Sequence, residues 1–492
     1  MAALTTTAPE GTSEGVATLR SLASIRARCR VIFDAAKADE LTHFRLHLSK
    51  LDDVANFVQG FMDRDYASYD DVPYHSRWRH FEAGGLDRTK RLKAAWDGTG
   101  CDDLEKARRL VDLVVISVLL DAGAGDVWKY TEKSTGLEAG RSEGLGVASF
   151  HMFGTGAFSS DPGTVPHRAD SIGLKGLADD SVRTAFQVDD ATNPLVGCEG
   201  RTQVLKRLGT ALEEHPEFFE TGGVFRPGNM VDHLIAQADV ETKTVSITKI
   251  WEVVMYGFEA MWPAGRTELD GRSMGDVWKH SVLPDDGSGW SNLVPFHKLS
   301  QWMTYFMEPL QGEAGLVLTE TELMTGLPEY RNGGLLLDMG VLEAKHAEVT
   351  GEAHGPEEEV IVEWRALTVC LLDEVAAKLR KTLGKTEKEF PLVKVRVDST
   401  IEKYRSILIG RSVQRRQMSL ETGVRLNAIS CFFCCFCCFC FLPIRMYSCQ
   451  SGIACSSGGN SPHWGQVIFW VSYLDLHDVS FTRSYLHEAV AT

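Results

Sequence analysis

The sequence predicts a mainly α-helical, large globular fold with few short strands. Three observations predict it. Apolar residues recur at three- and four-residue spacing over several long windows, strict alternation is scarce, and the segments between the windows are rich in Gly, Pro and Asp. The chain has 492 residues, 44% apolar and 24% charged, enough to bury a sizeable core. Residues 1–13 are small and polar and are expected to be disordered. Residues 14–395 carry the helical domain, and the composition changes again over 396–492.

From about Gly15 to Asp39, Leu19, Leu22, Ile25, Cys29, Ile32 and Phe33 share one helical face. Asp102 or Asp103 can cap a helix running to about Leu120, with Leu104, Ala107, Val111, Val114 and Val118 as its apolar stripe. Residues 199–214 repeat the pattern through Val204, Leu205, Leu208 and Leu212, and a further helix covers 360–383. In 295–310 a single helix is expected, with Phe296, Leu299, Met303, Phe306 and Leu310 inward. That places His297, Gln301, Thr304 and Glu308 opposite, Lys298 and Tyr305 beside them, and Trp302 at the flank. The best strand candidate lies at 240–250.

The formal net charge of −16 disfavours nucleic acid or an anionic membrane as the main partner. Of the 12 cysteines, Cys29, Cys101, Cys198 and Cys370 are scattered and read as free thiols of a reducing compartment. The others crowd between Cys431 and Cys455. Pairs such as Cys431 and Cys434 are separated by Phe rather than by polar loops, so a zinc knuckle is disfavoured and no metal is expected. The apolar run at 430–443 is too short to cross a bilayer unaided and ends at Pro443. This tail reads as translated non-coding sequence that adds nothing to function. The N-terminus lacks the basic start and apolar stretch of a secretory signal, so the cytoplasm is the expected location, with the nucleus as a second compartment.

Several chemistries lose ground for want of a motif. Gly384-Lys385-Thr386 has Leu379 where a phosphate loop needs its first glycine. Gly154 and Gly156 lack a third glycine in register, and neither a GxSxG elbow nor HExxH occurs. What remains is five stretches dense in charged and aromatic residues: PYHSRWRHF (73–81), RSEGLGVASFHMFGTGAFSSDP (141–162), NPLVGCEGR (193–201), PFHKLSQWMTYFMEPL (295–310) and GLPEYRNGGLLLD (326–338). Cations suit a phosphate, aromatic rings cover a planar group, and a carboxylate can move a proton. A solvated face or a structural ion pair is the competing reading of each stretch. His151 reads more naturally as a satisfied core histidine.

These stretches, with DAGAGDVWKY (121–130), HRAD (167–170), FRPGNMVDHL (225–234) and WPAGRTELDGRSMGDVW (262–278), resemble the uracil catabolism protein 4 family, a domain of unknown function, over residues 15 to 395. NPLVGCEGR, FHKLSQW and LPEYR are similar, in order and spacing, to motifs of the queuosine-salvage nucleotide N-glycosylase family. That second resemblance implies a helical fold similar to DNA glycosylases and hydrolysis of a base–ribose bond in a phosphorylated riboside. It places Lys298 and the Glu329-Tyr330-Arg331 triplet in the pocket, although relatives carry Asp where this chain has Glu329. Family members also continue past PLVKV with a Gly-Thr-Trp segment and a basic helix that this tail replaces. The implied roles are Glu329 as the catalytic carboxylate and Tyr330 or His297 for the leaving group. Lys298, Arg331, Arg77 and Arg201 would serve the phosphate, and Trp302 a planar face, with no cofactor. The first resemblance implies a role in the pathway that degrades uracil, and the alternatives are a ureido or amide C–N hydrolase of that pathway, or a non-catalytic helical partner of a pathway enzyme.

Overall fold

The computed structural model describes residues 8–395, except 126, 263 and 264, together with residues 444 and 445. Most of the tail, including the Cys-rich run, and residues 1–7 lie outside the described residues. Among the described residues there are seventeen α-helices, and the short strands pair only two by two. No helix of the described residues is long and apolar enough to cross a membrane.

Eight helices matter for the site: α1 (Leu22–Lys37), α2 (Asp103–Leu119), α3 (Arg141–Gly154), α4 (Cys198–Glu214), α5 (Lys298–Thr304), α6 (Met307–Gly312), α7 (Tyr330–Asp338) and α8 (Glu359–Leu383). Two of them form the centre. Every residue from Leu110 to Leu119 in α2 and from Val360 to Leu372 in α8 is buried. A helix buried on all sides must be covered by others. Accordingly α8 is packed by α1 and α7, and α2 by α3, α5 and α6.

The helix ends follow capping chemistry. Asp102 accepts the Glu105 N–H at 2.7 Å and starts α2 where expected. Gly384, at φ 64°, closes α8 in the left-handed conformation, so Gly384-Lys385-Thr386 is a helix terminus. Ser21 accepts the Ser24 N–H and starts a fresh helix, so the expected 15–39 helix is two, Glu14–Leu19 and α1. At 240–250 only β1 (Thr244–Ser246) is a strand, paired in parallel with β4 (Val317–Thr319), because Ser246 at once caps the helix Ile247–Glu252. The antiparallel strands β2 (Val277–Lys279) and β3 (Leu293–Pro295) deliver the chain to His297.

The single helix expected at 295–310 is also two, α5 and α6, broken at Tyr305 and Phe306. His297 lies before α5 in the left-handed region, and all residues from Leu299 to Met307 are buried. Periodicity assigned this segment a solvent face. Neighbouring segments cover that face instead.

Two glycines allow the close approaches that assemble the dense stretches. A Cβ on Gly146 would lie 2.7 Å from the His80 Cβ, and one on Gly333 2.5 Å from Trp364 Cε2. Gly333 therefore sets how tightly α7 lies on α8. Replacing Gly333 with Ala is expected to overpack this contact and cost about 1–3 kcal/mol, measurable by urea unfolding.

Candidate active site

The site is organised by a buried charge pair. Arg365 lies in the apolar run of α8, where its Nη1 and Nη2 donate to Asp276 Oδ1 and Oδ2 at 2.7 and 2.6 Å. Asp276 Oδ1 also accepts the Trp278 indole N–H at 2.8 Å, and Oδ2 the Lys298 backbone N–H at 3.0 Å. Burial by itself would raise the Asp276 carboxyl. The Arg365 charge and these donors instead hold it well below the usual carboxylate range. Arg365 Nε donates to the Pro328 carbonyl at 2.9 Å, and the guanidinium lies 4.2 Å above the Phe296 ring. One bridge thus runs from the Lys298 N–H, through Asp276 and Arg365, to the residue preceding Glu329.

A second tie is parallel to the first. Gln301, fully buried on α5, accepts from the Thr325 N–H and hydroxyl, each at 3.0 Å, and Tyr305 donates to the Thr325 carbonyl at 2.7 Å. The segment 325–328 is therefore stitched to α5 before it enters α7. There Glu329 is the N-cap, accepting the Asn332 N–H at 3.0 Å. Lys298, Glu329 and Arg331 are all partly exposed. The fold thus brings the backbones of Lys298 and the Glu329 triplet into one region. The side chain of Tyr330 lies outside the described residues.

His297 is held differently from the role implied for it. It is buried, and its Nε2–H donates to the Leu19 carbonyl at 2.9 Å. Burial lowers its pKa from 6.5 to about 4. A neutral ring whose N–H is committed to a carbonyl is an anchor, not a proton donor to a leaving group. It also offsets a left-handed backbone, φ 46°, that costs a non-glycine residue roughly 1–2 kcal/mol.

Trp302 and Arg77 meet at a neighbouring place. The Trp302 ring lies 4.8 Å from the His75 ring and 6.0 Å from that of His80. Arg77 is buried: Nε donates to Ser117 Oγ at 2.7 Å, and Nη1 lies 3.0 Å from Asp121 Oδ2 and 3.0 Å from His80 Nδ1. Its charge is thus balanced inside the protein. Trp302 follows Lys298 by four residues on α5, so both stand on one helix face. Arg201 holds the chain on either side of Asp121, the acid that pairs with Arg77. Its guanidinium donates to the carbonyls of Leu120, Ala122 and Gly123 at 3.2, 2.8 and 3.0 Å and to that of Val196, fastening the DAGAG loop to α4. That geometry suits a structural clamp better than phosphate capture. Among the described residues no group of three His, Cys, Asp or Glu side chains stands close enough to hold a metal ion.

Asp276 and Arg365 were not singled out from the sequence. A signal existed: Arg365 interrupts the run VIVEWRALTVCLL, and a charge in an all-round apolar helix needs a buried partner. Replacing Arg365 with Met would strand the Asp276 charge and is expected to cost about 3–5 kcal/mol; the double change with Asp276→Asn should recover much of it in a urea-unfolding cycle. His297 makes a pH prediction. The folded residue resists protonation until about pH 4, whereas the unfolded one takes a proton near 6.5. Its contribution is present above 6.5 and lost as pH falls towards 4, by about 3 kcal/mol in all. The stability difference between the native chain and His297→Asn should narrow over that window. Asn is chosen because it tolerates the left-handed backbone.

The comparisons with known proteins agree on a family. The family described as "Protein of unknown function (DUF1688)" matches residues 18–416, beyond the boundary expected at 395. Uracil catabolism protein 4 of Lachancea kluyveri is 38% identical over 394 residues, covering 75% of this chain and 89% of that protein. Protein urg3 of Schizosaccharomyces pombe is 39% identical over 383 residues, covering 77% of this chain and 90% of its own length. The chain therefore belongs to the DUF1688 family, with the uracil catabolism protein 4 of Lachancea kluyveri among its relatives.

Proposed function

We propose that this protein acts in uracil catabolism and hydrolyses the N-ribosidic bond of a uracil-derived ribosyl 5-phosphate, a ribosylurea phosphate being the simplest substrate. The name of the Lachancea kluyveri relative supports the pathway. The observation that carries the chemistry is the bridge from the Lys298 N–H through Asp276 and Arg365 to the Pro328 carbonyl. It sets a cation and a carboxylate, Lys298 and Glu329, on two rigid segments joined at a buried point, as a phosphorylated riboside requires.

In this reading Lys298 and Arg331 hold the phosphate. As the C–N bond breaks, positive charge develops on the anomeric carbon and ring oxygen, and the Glu329 carboxylate stabilises it. Water adds to the anomeric carbon and gives one proton to Glu329. The bonding pair stays on the departing nitrogen, which gains a proton. His297 is committed to the Leu19 carbonyl, so this proton falls to Tyr330 or solvent. The chemistry calls for no metal or organic cofactor. The N-cap bond from Asn332 keeps the Glu329 carboxylate oriented at the start of α7.

The test is release of ribose 5-phosphate from a synthetic ribosylurea 5-phosphate. The native chain should release it, and Glu329→Gln should be slower by roughly 10²–10⁴-fold with its helical circular dichroism retained. Undiminished turnover by the variant, or none by the native chain, would sink the proposal.

A further inference from the structure

Among the described residues, four of the unmatched buried polar atoms gather where residues 75–79 meet α5 and α6. They are Trp302 Nε1, Glu308 Oε2, Arg77 Nη2 and Arg79 Nε, each buried with no hydrogen-bond partner. About nine in ten buried polar groups in a folded protein are bonded, and each bare one costs about 1–3 kcal/mol. Their concentration points to a ligand rather than to chance.

The surroundings place them together. Trp302 lies against His75, and the next residue, Ser76, donates to Glu308 Oε1 at 2.7 Å. Arg79 Nη2 lies 3.4 Å from the same Glu308 oxygen. Arg77 reaches His80, whose ring is the other neighbour of Trp302. Glu308 keeps 21% of its side chain exposed, although Oε2 itself is covered.

Charge decides what kind of group fits. Arg77 is matched by Asp121 at 3.0 Å, and Arg79 by Glu82 at 2.8 Å, with Glu308 adding a further acid. A phosphate dianion would meet balanced cations and a carboxyl group. A neutral planar group with a carbonyl acceptor and N–H donors would meet an indole N–H, a carboxyl oxygen and flanking aromatic rings. Burial raises the Glu308 carboxyl above its usual range despite Ser76 and Arg79, which also suits a neutral partner.

We propose that Trp302 and Glu308 recognise the ureido group of the substrate, Trp302 Nε1 donating to its carbonyl oxygen and Glu308 Oε2 accepting from its N–H. The identity of the ligand rests on the function proposed above. The place of the site is consistent with it: Lys298 stands one turn from Trp302, roughly 6 Å away along α5, within the span of a ribose between its phosphate and its nitrogen substituent. The pair is then the specificity determinant of the reaction, since a site built around buried polar atoms rejects a ligand that leaves them bare.

Calorimetric titration tests this without turnover. In a Glu329→Gln background, ribosylurea 5-phosphate and ribose 5-phosphate are titrated with and without two further changes. Trp302→Phe keeps the ring and removes the N–H. Glu308→Gln keeps the shape and turns an acceptor into a donor. Each should weaken the ureido ligand at least about tenfold and leave ribose 5-phosphate unchanged. Equal weakening of both ligands, or of neither, overturns the inference, as does failure of either ligand to bind the parent. Discrimination without hydrolysis by the native chain would overturn the reaction proposed above while leaving the ureido site standing. Glu308→Gln guards against misfolding of the Trp302 variant, and circular dichroism is recorded for both.

Discussion

The interaction on which the site depends is the ion pair between Asp276 and Arg365. Both side chains are buried, and a buried pair is not by itself a source of stability, because two ions must be stripped of water. Its effect here is geometric. Asp276 receives Arg365 twice, the Trp278 indole and the Lys298 N–H, while its backbone carbonyl accepts the Phe296 N–H at 2.9 Å and the His297 N–H at 3.3 Å. One residue thereby fixes the path of the chain into α5. Arg365 extends that control to Pro328, and so to the start of α7.

The pair can do this because its arginine is embedded in the central helix. α8 is apolar on every side over its first half, so a charge within it has few orientations open to it and no water to turn to. Glu363, two residues earlier, is used in the same manner, accepting the N–H groups of His43 and Phe44 at 3.1 and 2.7 Å. The central helix therefore acts as a rigid post with polar pegs at chosen heights. Loops that would otherwise wander are hung from them. A second peg system lies on α2, where Asp112 accepts the N–H groups of Ala169 and Gly228 at 3.1 and 2.7 Å and the Arg226 guanidinium. Catalytic geometry needs this kind of support, since loosely held groups lose much of their effect.

The helical class, the start of α2 at Asp102 and the end of α8 at Leu383 were legible in the sequence, because periodicity and capping are local. The break at Ser21 was also legible in principle, since a serine can accept an N–H and start a new helix. The face of 295–310 was not. Gln301 and Thr304 occupy positions that periodicity assigns to solvent, yet both are fully buried, because the segment around Thr325 supplies donors for Gln301 and Ser300 offers Thr304 its carbonyl. Arg77 and Arg201 were expected to serve the phosphate in the chemistry that the resemblance implied. Asp121 and the DAGAG carbonyls balance or occupy them, and neither contact is visible from spacing.

The sequence by itself determined the helical class, the ends of α2, α4 and α8, and which stretches carry unusual chemistry, since these depend on residues three or four apart. The tertiary structure decided which of those residues face one another. It joined Lys298 to the Glu329 segment, withdrew His297 into a bond with Leu19, and set Trp302 and Glu308 against His75 and Ser76. Those are long-range contacts made by buried polar groups. Their partners are chosen by packing and by the cost of leaving a donor or acceptor bare, and neither is written in any local pattern.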